Sequence, residues 1–125
     1  MVAPRVLIVD DEPNILLPLE FLMRREGYEV RCAHDGEEGW QAVQQWRPDL
    51  VLLDVMMPRR DGFEVCGLIR SDPALASVRV VMLTAKGRDS DVARGLALGA
   101  DAYLTKPFAT ADLVQRVREL LETPR

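Results

Sequence analysis

The stretch Leu50-Val51-Leu52-Leu53-Asp54, residues 50–54, places four consecutive apolar residues before a carboxylate. A strand with one face in water alternates apolar and polar residues, so an uninterrupted apolar run predicts a strand that is covered on both faces. Two other segments, residues 6–9 and 80–83, are also apolar at every position. Strands of this kind are typical of a parallel sheet between two layers of helices.

Five short apolar segments alternate along the chain with five longer amphipathic stretches. The segments cover residues 6–9, 28–33, 50–53, 78–83 and 102–104. This alternation predicts an α/β fold: a doubly wound, five-stranded parallel sheet with five helices and right-handed crossovers, of the flavodoxin-like class. The first helix is expected between Pro13 and Gly27, although Pro18 would remove one of its backbone hydrogen bonds. The apolar face of this helix is predicted to consist of Ile15, Leu16, Leu19, Phe21, Leu22 and Met23.

Length and charge exclude several classes of protein. The chain has 125 residues, and 16 Lys and Arg against 20 Asp and Glu give a net charge of −4. We expect one domain, residues 1–125, with its core at about 5–122 and no output domain. Because no dense cluster of basic residues is present, direct binding of nucleic acid is not expected.

Location and redox state follow from two further features of the sequence. No apolar run approaches the roughly 20 residues that span a bilayer. No export signal precedes the first strand, so we expect a cytoplasmic protein without a membrane partner. In that setting, Cys32 and Cys66 are expected to be reduced core residues rather than a disulfide.

Polar side chains follow four of the five predicted strands. Asp10-Asp11 ends the first strand, Asp54 the third, Thr84 the fourth and Lys106 the fifth. The carboxyl ends of parallel strands lie at one edge of the sheet, where ligands bind, so these groups should converge there. Crowded carboxylates without nearby His or Cys favour Mg²⁺.

The predicted cluster suits phosphoryl transfer. Asp54 is placed as a carboxylate nucleophile that forms an aspartyl phosphate. Lys106 could hold a phosphoryl oxygen by charge, and Thr84 another by hydrogen bonding. Each of these residues taken alone has an ordinary explanation as a helix cap, a turn residue or a solvated charge. Capping does not account for their joint occurrence at four strand ends.

These residues resemble the receiver domain of two-component response regulators, and the fold resembles that of the single-domain chemotaxis regulator. The resemblance covers residues 5–122. The matching segments are residues 6–12 (VLIVDDE), 48–58 (PDLVLLDVMMP), 61–62 (DG), 81–85 (VMLTA), 99–101 (GAD) and 103–108 (YLTKPF).

The resemblance implies a role for each matching position. Asp54 corresponds to the phosphate acceptor, Asp11 to the direct Mg²⁺ ligand and Asp10 to its acidic neighbour, which acts partly through water. The backbone carbonyl of Met56 corresponds to a third protein ligand of the metal. The remaining positions are Lys106, the partner of the phosphoryl group; Pro107, preceded by a cis bond; Thr84, the switch hydroxyl; and Tyr103, the aromatic ring that turns inward when the hydroxyl moves.

The family also implies how this chain should behave. The side chains of Met56 and Lys86 lie at positions that tune hydrolysis, and because Met56 cannot orient an attacking water, we expect slow self-dephosphorylation. Relatives that dimerise use paired acidic residues where this chain has Asp101 and Ala102. We therefore expect mainly monomer, or a weak dimer that depends on phosphorylation.

The expected function is a signalling switch that accepts a phosphoryl group from a histidine kinase or phosphotransfer protein and acts on a downstream effector not identified by the sequence. Catalysis would be limited to its own phosphorylation and dephosphorylation. An aspartyl-phosphate phosphohydrolase is the alternative, but Met56 stands where such enzymes commonly carry a second acid. A nucleotide or flavin binder would need a Gly-rich loop after the first strand. A purely structural interaction domain would leave the carboxylate cluster unexplained.

Overall fold

The computed structural model describes residues 2–85 and 88–123 as five strands and five α-helices in strict alternation. The strands are β1 (Arg5–Val9), β2 (Glu29–Ala33), β3 (Leu50–Asp54), β4 (Arg79–Ala85) and β5 (Ala102–Lys106). The helices are α1 (Pro13–Arg25), α2 (Gly36–Trp46), α3 (Gly62–Ser71), α4 (Asp89–Ala97) and α5 (Thr110–Glu122). A short 3₁₀ turn, Pro73–Leu75, precedes β4 and was not predicted.

All five strands are parallel and lie in the order β2-β1-β3-β4-β5. The chain therefore moves outward from β1 in both directions, and β1 and β3 flank the point where the strand order reverses. Every residue of β3 is buried, as the apolar run predicted. The doubly wound α/β fold expected from the sequence is confirmed.

The core has two parts, one on each side of the sheet. One contains Val43, Phe63 and Ile69 from α2 and α3, packed on alternate residues of the central strands. The other contains Leu19, Met23 and Val117 from α1 and α5. Successive side chains of a strand point to opposite faces of the sheet. Because each face is covered by helices, every residue of an all-apolar strand is buried in one part of the core or the other.

The structure confirms the extent of α1 and corrects one detail of its apolar face. The helix runs from Pro13 through Pro18 to Arg25, as expected. Phe21 is 68% exposed and does not belong to the buried face, whereas Leu19 and Met23 do. Phe21 lies two residues after Leu19, about 200° around a helix of 3.6 residues per turn, and therefore points outward.

The cysteines lie on opposite sides of the sheet. Cys66 is buried in the α2–α3 part of the core, and Cys32 is half-buried against the α1–α5 part. Both thiols pack in or against the core, in agreement with the expectation that they are core residues. None of the helices in the described part of the chain has the length and apolarity required to cross a membrane.

Candidate functional site

The centre of the site is a three-residue charge cluster at the carboxyl edge of the sheet. Asp10 follows β1 and is completely buried, Asp54 ends β3 and is 6% exposed, and Lys106 ends β5. The Lys106 ammonium donates to Asp10 Oδ2 at 2.8 Å and to Asp54 Oδ1 at 3.2 Å. Residues that are 96 and 52 positions apart in sequence are thus joined at one point.

Burial and charge perturb the ionisation of this cluster. Desolvation by burial, followed by the negative charge of Asp10, raises the pKa of Asp54 to about 6, and Lys106 only partly opposes this. Burial by itself would lower the pKa of Lys106, but the hydrogen bond that Lys106 donates to Asp10 and the charges of both carboxylates outweigh burial, so that pKa is raised. The site therefore holds a firmly charged ammonium beside a carboxylate that is costly to ionise.

A second feature is the acidic run directly after β1. The carboxylates of Asp10, Asp11 and Glu12 offer oxygen atoms that lie within 4.8 Å of one another. Asp10 is fixed by accepting the Glu12 amide at 3.0 Å, while Asp11 and Glu12 are exposed. Oxygen donors at this spacing suit a hard cation such as Mg²⁺. Glu12 was not predicted as a candidate ligand, although it stands next to the acidic pair in sequence.

Asp54 does not belong to that acidic group among the described residues. Its carboxylate is drawn to the Lys106 ammonium on the β5 side. Behind it, the start of α3 approaches the backbone of β3 so closely that a β-carbon on Gly62 would overlap the carbonyl oxygen of Asp54. Only glycine fits there, and the close contact with the start of α3 fixes the backbone of Asp54.

Thr84 lies within β4, where the predicted strand end is extended by two residues. Its side chain is 1% exposed, and Oγ1 has no hydrogen-bond partner among the described residues. A buried hydroxyl without a partner is uncommon and points to a group that it would bind in another state. Lys86, predicted to flank this hydroxyl, lies outside the described residues.

Tyr103, the predicted switch aromatic, lies on β5 with 44% of its surface exposed. It pairs in register with Met82 of β4, two residues before Thr84. The structure does not place the ring beside the Asp54 cluster. The bond between Lys106 and Pro107 is cis, as the resemblance implied.

The loop after β3, residues 55–61, is called the acceptor loop here. It begins with buried Val55, whose amide donates to Leu83 O at 3.2 Å, and continues with Met56, which is 64% exposed. The Gly62 amide closes the loop by donating to Val55 O at 2.8 Å. An exposed thioether beside Asp54 has no group that can act as an acid or base.

The sequence matches the family model for the response regulator receiver domain over residues 6–118. The chain belongs to the response regulator receiver domain family. Receiver domains are the signalling switches of two-component systems rather than conventional enzymes. The family assignment therefore does not favour the phosphohydrolase alternative. The matched region contains β1 through most of α5, and so includes every residue of the cluster described above.

Solved structures of other receiver domains are similar over nearly the whole chain. A Chloroflexus aurantiacus protein described as a response regulator is 39% identical with a TM-score of 0.92, covering 97% of this chain and 99% of that one. The Vibrio cholerae chemotaxis protein CheY4 is 31% identical with a TM-score of 0.88, covering 95% and 99%. The receiver domain of a Pseudomonas aeruginosa sensor histidine kinase is 28% identical with a TM-score of 0.89, covering 98% and 100%, and has a magnesium ion coordinated in its active-site cleft.

The lone histidine and the tryptophan that ends α2 have other surroundings. His34 is on the surface, with its Nδ1 3.2 Å from Glu38 Oε1. Trp46 packs beneath the sheet, with the Arg31 guanidinium 4.9 Å and the Arg5 guanidinium 5.6 Å from its ring centroid. His34 is thus explained as a surface residue, and Trp46 as a residue packed in the core.

Proposed function

We propose that this receiver domain accepts a phosphoryl group on Asp54 from the phosphohistidine of a sensor kinase or phosphotransfer protein. The observation that carries the proposal is the Lys106 ammonium, 3.2 Å from Asp54 Oδ1 and 2.8 Å from Asp10 Oδ2. A carboxylate that is 6% exposed beside a fixed cation and an acidic cluster suits phosphoryl transfer, which requires alignment and charge neutralisation.

The transfer step follows from the groups present. A carboxylate oxygen of Asp54 forms a bond to phosphorus as the bond between phosphorus and the donor imidazole nitrogen breaks. The electron pair of that bond stays on the imidazole nitrogen. Lys106 would then exchange its contact with Asp54 for one with a phosphoryl oxygen, because the acquired group carries more negative charge than the carboxylate.

Magnesium fits the oxygen donors of this edge. Asp10, Asp11 and the carbonyl of Met56 are the proposed protein ligands together with Asp54, and Glu12 is close enough to contribute through water. A bound magnesium ion would neutralise the carboxylates and coordinate a phosphoryl oxygen. The magnesium-containing relative from Pseudomonas aeruginosa supports this choice of metal.

Thr84 and Tyr103 are the proposed switch residues. The buried Oγ1 of Thr84 has no partner among the described residues, so a phosphoryl oxygen on Asp54 would offer it a hydrogen bond. Movement of Thr84 would free space beside β4, into which the exposed ring of Tyr103 could turn. Phosphorylation would in this way shift the equilibrium of the face formed by α4, β5 and α5.

The test is intact-mass measurement after treatment with acetyl phosphate and Mg²⁺. We expect one adduct of about 80 Da, the mass of one phosphoryl group. Asp54→Asn should abolish it, and Asp112→Asn, at an exposed position of α5, should leave it unchanged. An adduct that persists in Asp54→Asn would contradict the proposal.

The adduct on Asp54 is also expected to decay slowly, because Met56 offers no group that could orient an attacking water. Decay within seconds would exclude slow self-dephosphorylation.

A further inference from the structure

The acceptor loop lacks backbone support from neighbouring elements over most of its length. Within the loop, the Arg60 amide donates to Pro58 O at 2.9 Å. Among the described residues, no backbone hydrogen bond connects Met56, Met57 or Arg59 to another element. The loop nevertheless carries the Met56 carbonyl only two residues after Asp54, so its position must be fixed by other contacts.

The first turn of α2 supplies a close backbone contact. A β-carbon on Gly36 would overlap the carbonyl oxygen of Arg60, and it would also lie 2.6 Å from the Arg60 carbonyl carbon. Gly36 is buried, and its own amide lies at the beginning of a helix capped by Asp35, whose Oδ1 accepts the Glu38 amide at 2.8 Å. Absence of a side chain at Gly36 is therefore a condition for this approach of loop and helix.

Two arginine–carboxylate pairs flank that contact. Arg60 Nε donates to Glu37 Oε2 at 2.6 Å, and Arg59 Nε lies 3.2 Å from Asp35 Oδ2. Consecutive residues of the loop are thus paired with residues on either side of Gly36. The three contacts together bind one short loop segment to one helical turn.

The backbone of the loop is strained where it is held. Arg59 has a φ of 72°, in the left-handed region that residues with a β-carbon rarely adopt. Such a conformation persists only where surrounding contacts impose it, and it is concentrated near functional sites. The contacts from α2 lie on this residue and the next one.

We infer that the first turn of α2, residues 35–37, positions the acceptor loop for magnesium binding, with Gly36, Glu37 and Arg60 as positioning residues that do not touch the metal. The inference rests on the proposed function, because it concerns the same magnesium-dependent site. Groups that orient a metal ligand from behind typically change metal affinity by about 10- to 100-fold when they are altered. The α2 turn would act in this way on the Met56 carbonyl.

The experiment is calorimetric titration of the whole chain with Mg²⁺, at a temperature where circular dichroism shows every variant folded. Gly36→Ala should weaken Mg²⁺ binding by about tenfold or more. Gly67→Ala in α3 is the matched control, because a β-carbon there meets no atom within 4 Å, and it should bind Mg²⁺ like the unaltered protein.

The ion pair is tested separately, so that the inference does not depend on the folding of Gly36→Ala. Glu37→Gln and Arg60→Gln should each weaken Mg²⁺ binding by roughly two- to fivefold, since the pair is partly exposed. The double variant should lose no more than either single variant, because both remove the same contact.

Two outcomes would overturn the inference. The α2 turn does not position the loop if Gly36→Ala binds Mg²⁺ within a factor of 1.5 of the unaltered protein, roughly the reproducibility of such a titration. If Gly36→Ala does not fold, the same result for both single variants overturns the inference. The proposed function would stand in that case, provided that the Asp54 adduct forms. If the unaltered protein neither binds Mg²⁺ nor forms the adduct, the proposed function fails and the inference with it.

Discussion

Asp54 is a carboxylate whose charge the folded protein accommodates poorly. Burial and the neighbouring Asp10 raise its pKa from 3.8 to about 6. Between these two pH values the folded state holds more protons than the unfolded state, so the free energy of unfolding falls as pH rises. The stabilisation is complete below pH 3.8 and is lost as pH passes 6. Above that, the metal-free protein is destabilised by a charge that the proposed phosphoryl transfer requires.

Asp54→Asn should therefore stabilise the metal-free protein at pH 7.5. The expected gain is about 1–2 kcal/mol, less than the full pKa difference implies, because Lys106 loses one of its two carboxylate partners. The gain should shrink as pH falls from 6 and be smallest below pH 3.8, where Asp54 becomes protonated in the unfolded state as well. Urea denaturation in EDTA across this pH range measures it.

Glu119→Gln is the control for a general effect of removing negative charge, since this residue of α5 is exposed. It should leave the free energy of unfolding nearly unchanged at both pH values. The urea concentration at the midpoint of unfolding could instead be no higher for Asp54→Asn than for the unaltered protein at pH 7.5. That result would show that the charge of the Asp54 carboxylate is better compensated than its burial indicates.

At the scale of elements, apolar runs predicted the ends of β1 and β2 but not those of β3, β4 and β5. The fourth run was predicted to stop at residue 83, yet β4 continues through Thr84 and Ala85, which pair with Thr105 and Lys106 of β5. Ladder hydrogen bonds are made by the backbone and do not require apolar side chains. This extension places Thr84 inside the sheet, and so explains its burial.

The contacts within the site depended on geometry that sequence patterns do not contain. Convergence of Asp10, Asp54 and Lys106 at one edge followed from parallel strands. The two hydrogen bonds that Lys106 donates to the carboxylates depend on side-chain rotamers. The approach of Glu12 to Asp11 depends also on the path of the loop after β1. Pairing of Arg60 with Glu37 joins the acceptor loop to the first turn of α2, and no sequence periodicity relates these two segments.

The helix α4 is attached to the rest of the molecule mainly at its C-terminal end. Gly95 is its single residue classed as buried in the described part of the chain. Arg94 lies over Phe63 of α3, with 4.2 Å between the guanidinium carbon and the ring centroid. Just beyond the helix, Gly99 O accepts from Arg70 Nε at 2.7 Å. Among the described residues, no side chain caps the first turn, where Arg88 forms a local ion pair with Asp91.

We expect the first turn of α4 to open more readily than α1 or α5, because few buried contacts resist its opening. Amide hydrogen exchange should show faster exchange over residues 89–93 than over the middle of α5. Arg94→Met should increase exchange across the whole of α4, since it removes the contact with Phe63. Protection of residues 89–93 equal to that of α5 would contradict this account of the helix.

For the whole molecule, the charge pairs of one acidic residue bear on self-association. Asp101 stands where dimerising relatives carry the first of two acidic residues, but its Oδ2 accepts from Arg70 Nη2 at 2.7 Å and from the Val80 amide at 2.8 Å. Its side chain is only 15% exposed. The carboxylate is thus committed to bonds within the chain, and the adjacent Ala102 brings no charge.

The same face exposes apolar surface that would favour contact between copies. Leu96 and Tyr103 are each 44% exposed and line one groove with Arg116. Because Asp101 is already paired with Arg70, we expect two copies of this face to associate weakly, with a dissociation constant above roughly 100 µM for the unmodified protein. Sedimentation velocity at increasing protein concentration should show monomer.

Beryllofluoride, a mimic of the phosphoryl group, tests whether repacking of this face alters the result. If Tyr103 turns inward, the groove changes shape, and any dimer that forms should require both the mimic and Mg²⁺. Tyr103→Ala should then remove the difference between the treated and untreated protein. Arg118→Gln should preserve it, since the Arg118 side chain pairs with Glu26, the residue that follows α1. A stable dimer of the unmodified protein at low micromolar concentration would show that apolar contact is sufficient without the missing charge pair.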